Sequence, residues 1–136
     1  MKKKTVYVPL AIDIMHSAHI NILKKAKKFG QVIVGLLTDK AISEYKQLPL
    51  LNYDERYKIL ESVRYIDKIV KQDSWDYTVN IKKYRPSFFV HGDDWKSGIQ
   101  KNHRKKVINC LKKNKGRLIE VPFTKNISSS QIKNEI

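Results

Sequence analysis

Two histidines three residues apart, His16 and His19, are the side chains from which the chemistry of this chain is read. They follow Thr5-Val6-Tyr7-Val8, a β-branched and aromatic stretch that reads as a strand, and precede Ile20-Asn21-Ile22-Leu23, which reads as a helix. In an α/β unit such a turn lies at the carboxyl end of the strand, where the helix N-terminus offers backbone N–H groups and a partial positive charge. Phosphate is the guest that such a turn receives. Near the other end, Ser128, Ser129 and Ser130 start a helix, so hydroxyls, N–H groups and helix dipole point one way and form a second cradle for phosphate oxygens. Simple capping by Ser128 is compatible with that role. Zinc on His16 and His19, with His91 or His103 completing the set, is a poorer fit, because the turn has no cysteine pair and no acidic residue within it. The one cysteine, Cys110, sits among Val107, Ile108 and Leu111 and reads as a buried structural thiol rather than a nucleophile.

The elements that must position these groups alternate along the chain. Residues 5 to 10 form a strand, and Asn21 to Phe29 a helix whose Ile22, Leu23, Ala26 and Phe29 share a face opposite the lysines, ended by Gly30. Val32 to Leu37 is a continuous apolar run, the habit of a parallel strand buried on both faces, so the three make a right-handed βαβ unit. Residues 40 to 52, with Pro49, read as a loop or short helix and a turn. Asn52 and Glu55 resemble a capping box for a helix with Ile59, Leu60, Val63 and Ile66 as its buried stripe. A short strand at 68–70, a weak helix over 75–85, a strand at 87–90, a long basic helix over 99–114 and a strand at 117–121 follow. Ser128 and Gln131 then open a last helix. The expectation is one α/β domain over residues 1–136, a Rossmann-like doubly wound parallel sheet of about five strands with helices on both faces. Ligands of such sheets bind outside the carboxyl ends of the strands at the switch point. The turns after Leu10, after Asp39, at His91 to Trp95 and before Ser128 converge there.

Twenty-eight lysines and arginines against 13 acids give a net charge of +15, a field that draws polyanions and steers small anions into clefts. Most of the excess, Lys24, Lys25, Lys27 and Lys28 with Arg104, Lys105, Lys106, Lys112, Lys113 and Lys115, is interleaved with apolar residues at helical spacing. Solvated helix faces are its plainest account, nucleotide steering the next, and nucleic acid is not an expected partner. Met1 to Lys4 carry a signal peptide's charge, but the apolar run behind them is broken by Pro9 and Asp13 and is too short to span a bilayer. No membrane contact and a cytoplasmic location are expected.

His16-Ser17-Ala18-His19 resembles the HxGH signature of the nucleotidyltransferase superfamily, and Ile127-Ser128-Ser129-Ser130 resembles that superfamily's second signature. Gly35 to Asp39, Tyr53 to Arg56, Arg64 to Asp67 and His91 to Trp95 are similar in order and spacing to blocks of the small cytidylyltransferases, so the resemblance covers residues 5 to 133. Leu48-Pro49, His91 to Lys96 and Val121 to Lys125 look most like the enzymes that activate phosphonates such as 2-aminoethylphosphonate. The glycerol-3-phosphate and phosphoethanolamine cytidylyltransferases are next nearest, with phosphocholine a further acceptor to weigh.

The resemblance implies transfer of CMP from CTP to a small phosphonate or phosphate monoester, with magnesium on the triphosphate and release of pyrophosphate. It implies catalytic roles for His16, His19 and Lys46, and nucleotide binding by Leu10, Ala11, Asp94, Trp95, Ile127, Ser128, Ser129 and Ser130. It assigns the acceptor to Asp13, Arg56, Arg64, Asp93 and Phe123. Arg56 and Arg64, eight apart, are taken as one helical face that reaches substrate phosphate or pairs with Asp54 and Glu61. Phe123, with Trp75, Tyr77 and Tyr84, suggests an aromatic pocket for an amino-alkyl head. A homodimer through Leu48-Pro49-Leu50-Leu51 is expected. Ala18 for the glycine of HxGH, Leu10-Ala11 for Gly-Thr, and Asn126 for glycine depart from the pattern and reduce backbone room at the phosphates. Two other readings remain: a catalytically weakened module that binds nucleotide or nucleic acid, and adenylyl transfer.

Overall fold

Thr5–Leu10 forms β1, the middle strand of a five-stranded sheet, in a computed structural model that describes residues 4–45, 48–96, 98 and 100–122. The other strands are β2 (Gln31–Leu37), β3 (Lys68–Gln72), β4 (Phe88–Gly92) and β5 (Arg117–Val121). Their order is β3-β2-β1-β4-β5 and every pairing is parallel. The helices between them are α1 (Ser17–Lys27), α2 (Asp39–Ser43), α3 (Tyr53–Glu61), α4 (Thr78–Tyr84) and α5 (Lys101–Lys113). Side chains alternate across each strand, and both faces are covered. Val6, Val8 and Leu10 of β1 meet Leu23 and Ala26 of α1 and Leu60 of α3. Tyr7 of the same strand points the other way, into a cluster with Ala41 and Ile42 of α2, Ile81 of α4 and Val107 and Leu111 of α5. The doubly wound sheet expected from the sequence is therefore the architecture found.

Several boundaries differ from expectation for local reasons. Helix α1 starts at Ser17, four residues before Asn21, because His16 caps it. Helix α3 has Asn52 as its cap, with Asn52 Oδ1 accepting from Glu55 N–H at 3.0 Å, but it stops at Glu61 and is rotated from the expected stripe. Ile59 is 39% exposed while Arg56 and Leu60, four apart, are fully buried. Among the described residues no helix is long and apolar enough to cross a membrane. The expected helix after Ser128 lies outside the described residues.

The burial of Arg56 corrects its assignment to substrate. Its Nη1 donates to the carbonyls of Ala11 (2.6 Å) and Leu37 (2.8 Å), its Nε to Leu51 (3.1 Å), and its Nη2 to Asp39 Oδ1 at 2.7 Å. Four hydrogen bonds from a group with five N–H donors leave little for a ligand. Ala11 follows β1 and Leu37 ends β2, so one guanidinium ties the carboxyl ends of both strands. Arg64 is corrected for a different reason: it lies beyond α3, is exposed, and rests on Tyr65 with its guanidinium carbon 5.1 Å from the ring. Asp67, three residues on, pairs with Val32 at the start of β2. Arg64 is thus at the amino-terminal edge of the sheet, across its width from the turns that follow β1 and β4. Replacing Arg56 by methionine strands three carbonyls and a carboxylate and should cost about 3 kcal/mol of unfolding free energy in urea, whereas Arg64→Ala should stay within about 0.5 kcal/mol. Equal effects of the two would contradict this division.

Candidate active site

The crevice begins where two strands part. β1 pairs with β2 from Thr5–Gln31 to Leu10–Leu36 but with β4 only at Val6–Phe88 and Tyr7–Phe89. Each of β1 and β4 then runs three residues further, to Leu10 and Gly92, without a ladder between them. The chain crosses from one side of β1 to the other at this point, which makes it the topological switch where α/β sheets take their ligands.

One wall is the loop from Ala11 to His16, held at Ala11, Ile12, Asp13 and His16. Ala11 gives its carbonyl to Arg56. Ile12 has φ of 49°, a left-handed conformation that a β-branched residue adopts only under constraint, and its side chain is buried against the β1 and α1 core. Asp13 Oδ1 accepts from Leu50 N–H at 2.6 Å and so ties the segment before α3 over this loop.

His16 then caps α1, and the cap fixes the proton positions of both histidines. Ala18 N–H donates to His16 Nδ1 and His16 N–H donates to His19 Nδ1, each at 3.2 Å. A neutral imidazole that accepts at Nδ1 carries its proton at Nε2, so the hydrogen bonds assign both rings as Nε2–H donors. The rings stack with centroids 4.0 Å apart and planes 30° from parallel, so the two donors sit side by side at the helix N-terminus. Partial burial holds the His16 imidazole below its ordinary pKa, which favours the neutral, donating form.

The other wall is the turn after β4. Asp93–Trp95 is a single 3₁₀ turn, its two carboxylates followed by an indole that is 1% exposed. Trp95 packs into the core, so only its backbone is left to line a site. Beneath it, His91 stacks on the indole at 3.7 Å, and its Nδ1 lies 2.8 Å from the Gly92 carbonyl. Burial pushes the His91 pKa down.

The topology therefore puts the segment with Leu10, Ala11, Asp13, His16 and His19 and the segment with Asp93, Asp94 and Trp95 after the carboxyl ends of the neighbouring strands β1 and β4. Arg56 is turned inward and Arg64 is at the far edge. The aromatic pocket is corrected as well: Trp75 and Tyr77 are 4% and 1% exposed, parts of the core, and Tyr84 packs against the same cluster. Lys46, Phe123, Ile127, Ser128, Ser129 and Ser130 lie outside the described residues. Leu48 and Leu50, named for self-association, are 64% and 62% exposed. Sequence reasoning missed Ile12, for which no residue type signals the strain. It also missed Glu120, an acid between the apolar Ile119 and Val121 in an edge strand, which should have raised the question of its partner.

Comparison with known proteins decides the family. The profile described as cytidylyltransferase-like matches residues 12–135. The chain belongs to the cytidylyltransferase-like family. Membership makes it a nucleotidyltransferase, and family resemblance extends over the full length of small relatives. It is 29% identical to the glycerol-3-phosphate cytidylyltransferase of Bacillus subtilis (strain 168), over 100% of this chain and 98% of that protein. It is 30% identical to the ethanolamine-phosphate cytidylyltransferase of Dictyostelium discoideum, over 93% of this chain but 35% of that longer protein. The crystal structure of the lipopolysaccharide core biosynthesis protein from Thermoplasma volcanium shares the fold, with a TM-score of 0.72, 19% identity, and coverage of 93% of this chain and 100% of that one.

Three histidines in this family member, His16, His91 and His103, are held below their ordinary pKa, in each case chiefly by burial. The folded state therefore binds fewer protons than the unfolded state once the pH falls beneath the unfolded imidazole value. Their contribution is intact above about pH 6.5 and is lost as pH falls through the folded values. The melting temperature of the ligand-free protein should accordingly drop between about pH 7.5 and about pH 5.5, and a flat profile there would contradict the neutral assignment.

Proposed function

We propose that this protein transfers CMP from CTP to a small acceptor that carries a phosphonate or phosphate and an amino-alkyl head, with 2-aminoethylphosphonate favoured and phosphoethanolamine next. The observation that carries the reading is the pair of Nε2–H donors that the α1 cap sets side by side at the switch-point crevice. An acceptor oxygen attacks the α-phosphorus; the new P–O bond forms as the bond to the bridging oxygen breaks, and pyrophosphate leaves with that electron pair. The acceptor oxyanion is already deprotonated, so no general base is required. The chain's task is to hold the two anions in line and to donate hydrogen bonds to the charge that grows on the phosphoryl oxygens. Neutral imidazoles suit that task because they donate at Nε2 without surrendering the cap at Nδ1.

Magnesium bound to the triphosphate would neutralise phosphate charge. Among the described residues no three His, Cys, Asp or Glu side chains cluster to hold a metal. An ion of this kind would be carried by phosphate oxygens and water, with few protein ligands. The amino-alkyl preference is supported by Asp13, Asp93 and Asp94, three carboxylates at the crevice that suit an ammonium better than glycerol hydroxyls. The names of the relatives divide between glycerol 3-phosphate and ethanolamine phosphate, so both belong in the test.

His16→Asn separates the two jobs of His16, because asparagine is an excellent cap with no Nε2–H. It should keep the melting temperature near wild type while turnover falls by about a hundredfold or more, and His19→Ala should lose a similar factor. Turnover near wild type in either variant would remove the histidines from the chemistry. Measurement of kcat/KM with CTP and magnesium should rank 2-aminoethylphosphonate first, then phosphoethanolamine, with glycerol 3-phosphate lower by about tenfold or more. A preference for glycerol 3-phosphate would overturn the acceptor assignment while leaving nucleotidyl transfer in place.

A further inference from the structure

The Asp93–Trp95 turn has no side-chain cap, and a lone 3₁₀ turn has poor hydrogen-bond geometry of its own. Something outside the turn must fix it. The indole of Trp95 is the tether. It lies parallel to His91 at 3.7 Å and to Phe89 at 5.9 Å, with 7° between planes in both cases, so its ring plane is set by β4. Its rotation within that plane is set by one hydrogen bond, from Nε1 to Glu120 Oε2 at 2.9 Å.

Glu120 stands opposite His91 in the β4–β5 register, so the residue that stacks the indole and the residue that pins it are neighbours across the ladder. The carboxylate is itself held. Arg104, in the first turn of α5, donates Nε to Oε2 at 3.2 Å and Nη2 to Oε1 at 2.9 Å, a two-pronged grip on one plane. Trp95 Nε1 and Arg104 Nε thus converge on a single oxygen of Glu120. Helix α5, strand β5 and the turn after β4 meet at one charged group. Gly92 completes the arrangement: a Cβ there would lie 2.9 Å from Asp94 Oδ1, so the carboxylate of Asp94 folds back against bare backbone.

We propose that Glu120, oriented by Arg104, is the positioning residue that sets the Asp93–Trp95 turn for recognition of the nucleobase, acting through the Trp95 indole and without touching the nucleotide. The inference rests on the reading of this turn as the nucleobase wall of a CTP site. A recognition surface made of one carboxylate and a few backbone groups discriminates only if it is held to about half an ångström, and here the holding falls to the Arg104–Glu120–Trp95 chain.

The test compares wild type, Glu120→Leu, Glu120→Gln and Arg104→Met by steady-state kinetics with CTP and with ATP, magnesium and the preferred acceptor. Glu120→Leu should raise KM for CTP by about tenfold and shrink the CTP-over-ATP ratio of kcat/KM by a similar factor. Glu120→Gln keeps an oxygen for the indole and should recover most of the ratio. A staple that serves stability alone would lower the melting temperature and leave the ratio as it was, and that result in a folded variant overturns the proposal. If Glu120→Leu does not fold, Arg104→Met, which loosens the carboxylate from the partly exposed helix side, is read on the same ratio, with the same two outcomes. A wild-type protein that uses CTP no better than ATP would overturn the CTP reading itself, and the proposal with it. A wild type that prefers CTP, with variants that keep the preference, overturns only the role of Glu120.

Discussion

Parallel strands end in carbonyls that the departing chain no longer pairs, and a site built at those ends needs donors beneath it that are not water. The guanidinium of Arg56 supplies them. It joins Ala11 after β1, Leu37 at the end of β2, Leu51 before α3 and Asp39 at the start of α2. Those are the points from which the loops around the crevice depart. The left-handed turn at Ile12, the tie from Asp13 to Leu50 and the cap at His16 all follow within five residues of Ala11, so the position of the histidines is inherited from that one group. A lysine could supply charge at this place but not a planar fork aimed at several acceptors.

The two walls of the crevice are stabilised by different means. The histidine wall is backbone-directed: a strained residue, a cap and two imidazoles whose Nδ1 atoms are occupied by N–H groups. The opposite wall depends on side chains, with Phe89, His91 and Trp95 stacked in parallel and Glu120 at the edge. Backbone-directed geometry suits a site for phosphate, which every nucleotide shares.

Part of the basic surface is engaged within the fold. Lys27 pairs with Asp67 at 2.6 Å, while Arg104 serves Glu120, so some of the positive residues counted in the sequence are structural. Much of the remainder lies at exposed positions of α1 and α5, among them Lys24, Lys25, Lys105, Lys106, Lys112 and Lys113.

The sequence by itself determined the sheet. Continuous apolar runs in β2 and β4 and lysine-flanked amphipathic stripes in α1 and α5 admit little besides a parallel sheet covered on both faces, because hydrophobic period and segment length are local properties. It also placed His16 and His19 at a strand-to-helix turn, since a turn is read from the elements that flank it. Only the tertiary structure decided what the polar residues do. Arg56 and Arg64 look equivalent on a helical wheel, yet α3 ends between them, and one goes to the core beneath the crevice while the other goes to the far edge of the sheet. Trp75 and Tyr77, offered by the sequence as a pocket, are consumed by packing, Trp75 against α2 and Tyr77 against Phe89 of β4, and Glu120 meets Trp95 and Arg104 through a strand and a helix that no spacing along the chain reveals. Charge and aromaticity are readable one residue at a time, but direction is set by rotation about the element and by neighbours distant in sequence, and function at this crevice depends on direction.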